Sequence, residues 1–151
     1  YTPLISWFPC SIHRVDGASY NFYCFSYRDT LHTGSHTMEQ PWLDEASRMN
    51  PYTYNITINA AKGKKLGLKD GDLIEVESST GGKARGTVKL IEGQHPQTMG
   101  IAACSGHWTK GMPIARGKGA HFDALMACDL QHVDPVSLNI ETAARVRVRK
   151  L

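Results

Sequence analysis

Residues 60–90, AAKGKKLGLKDGDLIEVESSTGGKARGTVKL, restrict the fold more than any other part of the sequence. AAKGKKLG predicts a short helix that ends at Gly67, where a glycine can take the positive φ of a helix cap. Ile74 and Val76 then alternate with acidic residues, which is the period of a half-buried strand. After STGG, apolar or small residues alternate with basic residues and threonine up to Leu90, which indicates a second strand with one basic face. We expect the two strands to form a hairpin.

Four other segments have the composition of β-strands, because aromatic, β-branched or small apolar residues dominate them. They are NFYCFSY at 21–27, YNITI at 54–58, TMGIAAC at 98–104 and ARVRVRKL at 144–151. In the last segment the valines are expected to point inward, and Arg145, Arg147 and Arg149 to form a solvated sheet face. Helical patterns are few and short, namely PWLDEASRM at 41–49 and HFDALMACDL at 121–130. The chain is therefore predicted to be mostly β, a barrel or a sandwich, since both architectures protect strand edges.

The composition of the 151 residues, 41% hydrophobic and 21% charged, is that of one globular domain and excludes a disordered or fibrous chain. No run approaches the roughly 18 apolar residues of a membrane span, so direct membrane insertion is not expected. The net charge of +3 does not demand an anionic partner, and no nucleic-acid partner is predicted. The cysteines are scattered without a CxxC pair and are predicted to be buried thiols rather than zinc ligands. They are Cys10, Cys24, Cys104 and Cys128.

Three segments between the predicted strands contain more His, Gly, Ser and Thr than turns require: residues 28–40, 105–123 and 129–139. Loops on a rigid β scaffold are where binding residues concentrate. In the first loop, HTGSHT surrounds Gly34 with short hydroxyl and imidazole donors, which suits a phosphate or a polar heterocycle, or simply a polar surface loop. In the second, ARGKGAHFD forms a basic, flexible turn able to face an anion. There His107 is either a ligand donor or a half-buried histidine with protein partners, and the residues alone favour the second interpretation.

Patterns typical of catalysis are absent from the sequence. It has no GxxxxGK[ST] phosphate loop, no HExxH metal motif and no GxSxG nucleophile elbow. His32 and His36 have an i, i+4 spacing, but they flank Gly34 in a predicted loop, which disfavours a zinc site. The residues therefore show no machinery for independent catalysis, and we predict no catalytic residue and no metal ligand in this chain.

The order of these motifs resembles the C-terminal molybdopterin-dinucleotide-binding domain of the dimethyl sulfoxide reductase family of molybdenum and tungsten enzymes. Within residues 60–90 and the strand before them, the matching features are Ile58-Asn59, Leu66-Gly67, Gly71-Asp72 and the hairpin from Leu73 to Leu90. HTGSHTMEQPWL looks like the family's loop after its first strand, GHW like its mid-domain turn, GKGAHFDAL like its Gly-rich Asn-x-Leu segment and VDP…RVRVRK like its closing strand. The resemblance covers residues 20–151 and leaves residues 1–19 as an extended connector from a preceding domain.

This resemblance implies a six-stranded double-psi β-barrel with a few short helices, which covers one side of a bis(molybdopterin guanine dinucleotide) cofactor. The cofactor contacts that it implies are Arg28, Thr30, His32, Gly34, Ser35 and His36 in the first loop and His107, His121, Phe122 and Asp123 in the second. Asp123 stands where many relatives have asparagine. A carboxylate can accept hydrogen bonds from pterin NH groups but cannot donate, so this contact departs from the family pattern.

The resemblance also implies a larger oxidoreductase, in which the molybdenum ligand and the iron–sulfur cysteines precede this domain. Its partners would be the N-terminal catalytic domains of the same chain and an iron–sulfur electron-transfer subunit. PWL, GHW and ARGKGAHF indicate the branch that reduces polysulfide, thiosulfate and related sulfur or arsenic oxyanions. An alternative keeps the double-psi barrel without the cofactor, as a protein-recognition module, but it does not explain why three separate loops are rich in His and Gly.

Overall fold

The computed structural model describes residues 4–134 and 136–151. Its strands, in chain order, are β1 (Phe22–Tyr27), β2 (Asn55–Asn59), β3 (Leu73–Ser78), β4 (Lys83–Ile91), β5 (Thr98–Ala102) and β6 (Ala143–Lys150). The α-helices are α1 (Pro41–Met49) and α2 (Ala60–Lys65), and 3₁₀ helices span Ser11–Arg14, Ser35–Glu39 and Phe122–Leu125. All six predicted strands and the first two predicted helices are confirmed. No helix in this described part of the chain is both long and apolar enough to span a bilayer.

The helix predicted over residues 121–130 is wrong in length, because only the single 3₁₀ turn Phe122–Leu125 forms there. Phe122 and Leu125 are both buried. Residues three apart lie on the same side of a 3₁₀ helix, so one such turn is enough to place both side chains in the core.

The six strands close into a barrel in the order β1-β5-β2-β4-β3-β6. β1 pairs with β5 and β2 with β4 in parallel, whereas the other neighbouring strands are antiparallel, among them the predicted β3–β4 hairpin. The predicted mostly β, six-stranded double-psi barrel is confirmed. Because β1 and β5 run in the same direction and Tyr27 pairs with Ala102, the loops that follow these two strands leave the barrel side by side.

One apolar cluster fills the barrel, and every strand contributes to it. Its fully buried side chains include Phe22, Ile56, Ile58, Ile74, Val76, Val88, Met99, Ile101 and Val146. Burying one such side chain stabilises a fold by about 1.5–3 kcal/mol relative to leaving it in water. Close packing of this kind resists deformation, so the barrel is a firm base for the loops at its ends.

The arginine row of β6 is a solvated face only in part, because Arg147 and Arg149 are exposed as predicted, whereas Arg145 is buried. Arg145 is only 7% exposed, and its Cζ lies 3.9 Å from the centre of the Tyr23 ring. Arg147 donates to Glu77 at 3.0 Å across the β3–β6 pair, and the last arginine of the row pairs in the same way with Glu75 at 3.1 Å. Two carboxylates of β3 therefore pair with Arg147 and Arg149 of β6. These ion pairs depend on the pairing of the two strands.

The N-terminal segment contacts the segment just before β6 through Ser11, whose backbone nitrogen donates to Glu141 at 2.7 Å and whose hydroxyl donates to the same carboxylate. Before it, Trp7 and Phe8 are exposed. The assignment of residues 1–19 to a connector stays a prediction, and residues 1–3 lie outside the described residues.

Two cysteines depart from the prediction of buried thiols. Cys24 and Cys104 are buried, but Cys128 is exposed and Cys10 is partly exposed. Both of the latter lie in irregular segments outside the strands, where no periodic pattern turns a side chain toward the core.

Candidate functional site

Two of the His- and Gly-rich loops meet at one end of the barrel: the first loop, residues 28–40, follows β1, and the second loop, residues 105–123, follows β5. Glu39 accepts hydrogen bonds from the backbone nitrogens of Ile114 at 2.9 Å and Ala115 at 3.1 Å. A small apolar cluster with members from both loops reinforces this contact. The two loops therefore form one surface, called here the two-loop surface.

A second contact ties the second loop to α1. The side chain of Asp44, 6% exposed, accepts hydrogen bonds from Lys118 of the second loop and from Tyr54, the latter at 2.8 Å. It also pairs with Arg48 at 3.0 Å. Burial alone would raise the pKa of the Asp44 carboxyl, but these donors and positive charges outweigh burial and hold the pKa below its usual value. Asp44 is therefore ionised at neutral pH and fixes Lys118 in place.

His32 is enclosed within the first loop, with 1% of its surface exposed. Its Nδ1 lies 2.7 Å from Thr37 Oγ1, and its Nε2 lies 2.8 Å from Ser47 Oγ. Because the Thr37 hydroxyl donates to the carbonyl of Gly34, it accepts from Nδ1, and Nε2 accepts from the Ser47 hydroxyl. Burial lowers the pKa of His32, which keeps the ring neutral. Both ring nitrogens are used inside the protein, so His32 holds the loop in shape.

The other predicted residues of the first loop are more accessible. Arg28 and Thr30 are exposed and line an open cleft of about 370 Å³. Ser35 and His36 begin the 3₁₀ helix that follows, the former half-buried and the latter exposed. A Cβ at Gly34 would come within 3.1 Å of the His36 ring, so the glycine lets this imidazole fold back over the backbone.

His107, His121 and Asp123 of the second loop form a cluster. The two rings meet edge to face with their centroids 4.3 Å apart, and His121 Nε2 lies 3.7 Å from Asp123 Oδ2. His107 Nε2 lies 3.1 Å from the carbonyl of Ala103, which can only accept, so this nitrogen carries a proton. His121 Nε2 is shielded from water and has no hydrogen-bond partner among the described residues. Burial, and then the nearby His107, lower the pKa of His121, so its ring is neutral at pH 7.

Two glycines allow this cluster to form. Gly106 has a φ of +80°, and a Cβ there would lie 2.2 Å from the backbone nitrogen of His121. Gly119 has a φ of +73°, and a Cβ there would lie 2.4 Å from that of Ser105. The beginning and the end of the second loop thus approach closely enough to bring His107 and His121 together.

One predicted contact residue and one predicted binding loop do not belong to the two-loop surface. The Phe122 side chain is buried in the barrel core, unlike those of its sequence neighbours. Residues 129–139 line a different cleft, of about 590 Å³, together with the N-terminal segment, and Pro135 of that loop lies outside the described residues.

Sequence reasoning missed the residues that join the loops, namely Glu39, Asp44 and Lys118. Their partners are 74 to 76 positions away in the sequence, and no local period marks them. The one available signal was charge, since the acidic segment MEQPWLDE complements the basic segment ARGKGAHF.

The two-loop surface fits a polar, partly anionic ligand. Arg28 supplies a cation and Thr30 a hydroxyl, both in a cleft whose lining contains no described residue of the second loop. The second loop supplies the imidazoles of His107 and His121 as further hydrogen-bonding groups. Buried polar atoms normally have a hydrogen-bond partner, and His121 Nε2 is an atom that a bound ligand could satisfy. Phosphate oxygens and flat heterocycles with NH and carbonyl groups match this set.

Known proteins are similar to this chain in fold or in sequence. Acetylene hydratase from Pelobacter acetylenicus has the same fold, with a TM-score of 0.71 and 19% identity, over 89% of this chain and 19% of that one. The arsenate respiratory reductase molybdopterin-containing subunit ArrA of Chrysiogenes arsenatis is 26% identical over 131 residues, 78% of this chain. The subunit of the same name from Shewanella sp. (strain ANA-3) is 33% identical over 88 residues, 56% of this chain. The chain spans only 15% and 10%, respectively, of the lengths of these two relatives.

A family model described as the molydopterin dinucleotide binding domain matches residues 22–143, which include both loops of the two-loop surface. The match confirms the family that the sequence motifs resemble, and with it the predicted cofactor, molybdopterin guanine dinucleotide. The chain belongs to the molydopterin dinucleotide binding domain family.

Proposed function

We propose that the two-loop surface binds the bis(molybdopterin guanine dinucleotide) of a larger oxidoreductase, and that this chain contributes binding rather than catalysis. The observation that supports this most is that Glu39 joins the two His- and Gly-rich loops into one surface. When bound, the cofactor supplies the redox chemistry. The residues of this chain hold and orient it.

In the first loop, Arg28 binds phosphate oxygens through charge-assisted hydrogen bonds, which are stronger than neutral ones. Thr30, Ser35 and His36 add further hydrogen-bonding groups, and the glycine before Ser35 gives the ligand access to the backbone. His32 holds this loop in shape through its hydrogen bonds to two hydroxyls.

In the second loop, His107 and His121 present ring nitrogens to the ligand. Asp123 accepts hydrogen bonds from pterin or guanine NH groups, in keeping with an acceptor-only carboxylate. Phe122 anchors this segment in the barrel core. Residues from both ends of the loop thus contribute to one face.

The parent protein is proposed to contain N-terminal catalytic domains in the same chain, with residues 1–19 as the connector, and to work with an iron–sulfur electron-transfer subunit. Both curated relatives are subunits of arsenate respiratory reductases. Within the predicted group of substrates, this supports an arsenic oxyanion over polysulfide or thiosulfate.

Titration of the 151-residue chain with GDP, followed by amide NMR, tests the site. We expect chemical-shift changes in residues 28–40 and 105–123 before any in the β3–β4 hairpin. Binding should be weak, because the other domains would supply most of the cofactor's contacts and the loops must be ordered.

A matched pair of variants sharpens this test. Replacing both Arg28 and Ser35 by Ala should reduce the GDP-induced shifts, whereas Arg147→Ala should not, since Arg147 is exposed and paired with Glu77. Shifts that map to the β6 arginines, or a double variant that binds GDP as the unaltered chain does, would overturn the proposal and favour the protein-recognition alternative.

A further inference from the structure

We propose that His107, His121 and Asp123 form, in the chain free of the cofactor, a binding site for a divalent transition-metal cation such as Zn²⁺ or Ni²⁺. The cation and the cofactor of the proposed function would use the same side chains and would therefore compete. Each residue offers one ligand atom, and these atoms lie within 4.8 Å of one another. Ligand atoms around a tetrahedral zinc ion lie roughly 3.3–3.5 Å apart, so small side-chain rotations would complete the geometry.

The hydrogen bond of His107 prepares its ring for a metal. Its Nε2 donates to the carbonyl of Ala103 at 3.1 Å, which leaves Nδ1 as the nitrogen with a free lone pair. Metal-ligating histidines almost always donate their other ring nitrogen to a carbonyl or a carboxylate in this way, which fixes both the tautomer and the ring orientation.

His121 and Asp123 supply the other two ligand atoms. His121 Nε2 has no hydrogen-bond partner among the described residues, and it lies 3.7 Å from Asp123 Oδ2. A tetrahedral zinc ion with bonds of about 2.0–2.2 Å holds two ligand atoms roughly 3.3–3.6 Å apart, so a slight rotation of either side chain would let one cation bond both atoms. The Asp123 side chain is 57% exposed, so a cation can reach the cluster from solvent through this carboxylate, while His121 Nε2 itself is shielded from water.

The donor set defines the class of cation. Two imidazoles and one carboxylate suit Zn²⁺, Ni²⁺, Co²⁺ or Cu²⁺, whereas Mg²⁺ and Ca²⁺ prefer sites made entirely of oxygen ligands. Three protein ligands leave a coordination position open to water or an anion. The sequence did not predict this site, because His107 and His121 are far apart in the chain and lack the short spacing of a metal motif.

The test is a calorimetric titration of the 151-residue chain with Zn²⁺ in the absence of any nucleotide, so it does not depend on the proposed function. Cys10 and His13 form a second potential site, with Sγ and Nδ1 3.5 Å apart, and Cys128 is an exposed thiol. The titration is therefore made with Cys10 and Cys128 both replaced by Ser. We expect one Zn²⁺ per chain, and a visible spectrum of a nitrogen- and oxygen-ligated ion when Co²⁺ replaces it.

Variants identify the ligands. His107→Ala and His121→Ala should each weaken Zn²⁺ binding by more than about tenfold, since even outer-shell partners of a metal ligand are worth roughly 10–100-fold. His95→Ala, a change of an exposed histidine in the turn before β5, should leave the affinity unchanged. Absence of Zn²⁺ binding, or equal affinity in all three variants, would overturn the site.

Asp123→Asn tests the third ligand, and because Asp123 is exposed this variant should fold normally. Its Zn²⁺ affinity should fall at least about tenfold. The double variant with Arg28 and Ser35 both replaced by Ala separates the metal site from the cofactor site, because neither residue is one of the three metal ligands. It should reduce the GDP-induced shifts and leave the Zn²⁺ affinity unchanged. Unchanged Zn²⁺ affinity in Asp123→Asn would overturn the metal site alone. Absence of GDP-induced shifts in an unaltered chain that binds Zn²⁺ would overturn the cofactor proposal alone.

Discussion

The Glu39 carboxylate accepts a hydrogen bond from the backbone nitrogen of Ile114 at 2.9 Å, although the two residues are 75 positions apart. Glu39→Ala should lower the free energy of unfolding by about 1.5–3 kcal/mol, the typical worth of hydrogen bonds to a charged group. It should also speed amide exchange at Ile114 and Ala115. Urea unfolding and hydrogen exchange measure the two effects. Glu92→Ala, at an exposed glutamate after β4, is the control; unchanged exchange at Ile114 in Glu39→Ala would contradict the contact.

His32 should make stability depend on pH. Because burial lowers the pKa of His32, the unfolded chain binds a proton more readily than the folded chain below about pH 6.5. The contribution of His32 is complete above that pH, and the free energy of unfolding should fall between pH 6.5 and pH 5. His32→Gln cannot be protonated and should fall less over this interval, while His95→Gln should fall as the unaltered chain does. Urea unfolding at several pH values gives these slopes, and equal slopes in all three proteins would refute the effect.

Asp44 should also make stability depend on pH, but over a lower pH range than His32. Here protonation removes a negative charge from the folded chain instead of adding a positive one. Its pKa is lower in the folded chain than the unfolded value of about 3.9, so its contribution is present above that pH and is lost as the pH falls through the folded value. Asp44→Asn should lower the free energy of unfolding at pH 7 by roughly 1–3 kcal/mol, and the deficit should shrink toward pH 3. Glu45→Gln, on the exposed side of α1, should do neither. A deficit that is the same at both pH values would show that charge is not its cause.

Alanine substitutions at two glycines of the second loop should distinguish the cost of backbone strain from that of steric overlap. Gly117 has a φ of +73°, but a Cβ added there would meet open space, so Gly117→Ala should cost about 1–2 kcal/mol through backbone strain alone. Gly106→Ala should cost clearly more, because its Cβ would also overlap the backbone of His121. NMR of the histidine rings should show the loss of the His107–His121 contact only in Gly106→Ala. Equal stability of the two variants would count against the close approach.

The barrel strands could be predicted from the sequence because the alternation of apolar and polar residues that marks a strand lies within the strand itself. In β3, Ile74 and Val76 are both fully buried, as the alternation with charged residues indicated. Period alone did not reveal that Glu75 is also buried, since that depends on arginines from β4 and β6. Burial that follows from alternation within one strand can therefore be predicted from the sequence. Burial that depends on side chains of neighbouring strands cannot.

The loops show the same limit. His32 and His36 belong to one short motif, yet the first is buried and the second is exposed. The difference arises from Ser47 in α1, which closes over His32 from 15 positions away. Phe122 and Asp123 are adjacent in a single 3₁₀ turn, which is too short for a sequence period to tell which of them enters the core.

Closure of the barrel has a consequence for how a neighbouring domain can attach. All six strands have hydrogen-bonded neighbours on both sides, so none of them is a free edge. A partner polypeptide therefore cannot dock by adding a strand to this sheet, which is one of the common modes of recognition. Attachment must use side chains and loop backbone, and a partner can separate from the barrel without breaking any of its strand pairing.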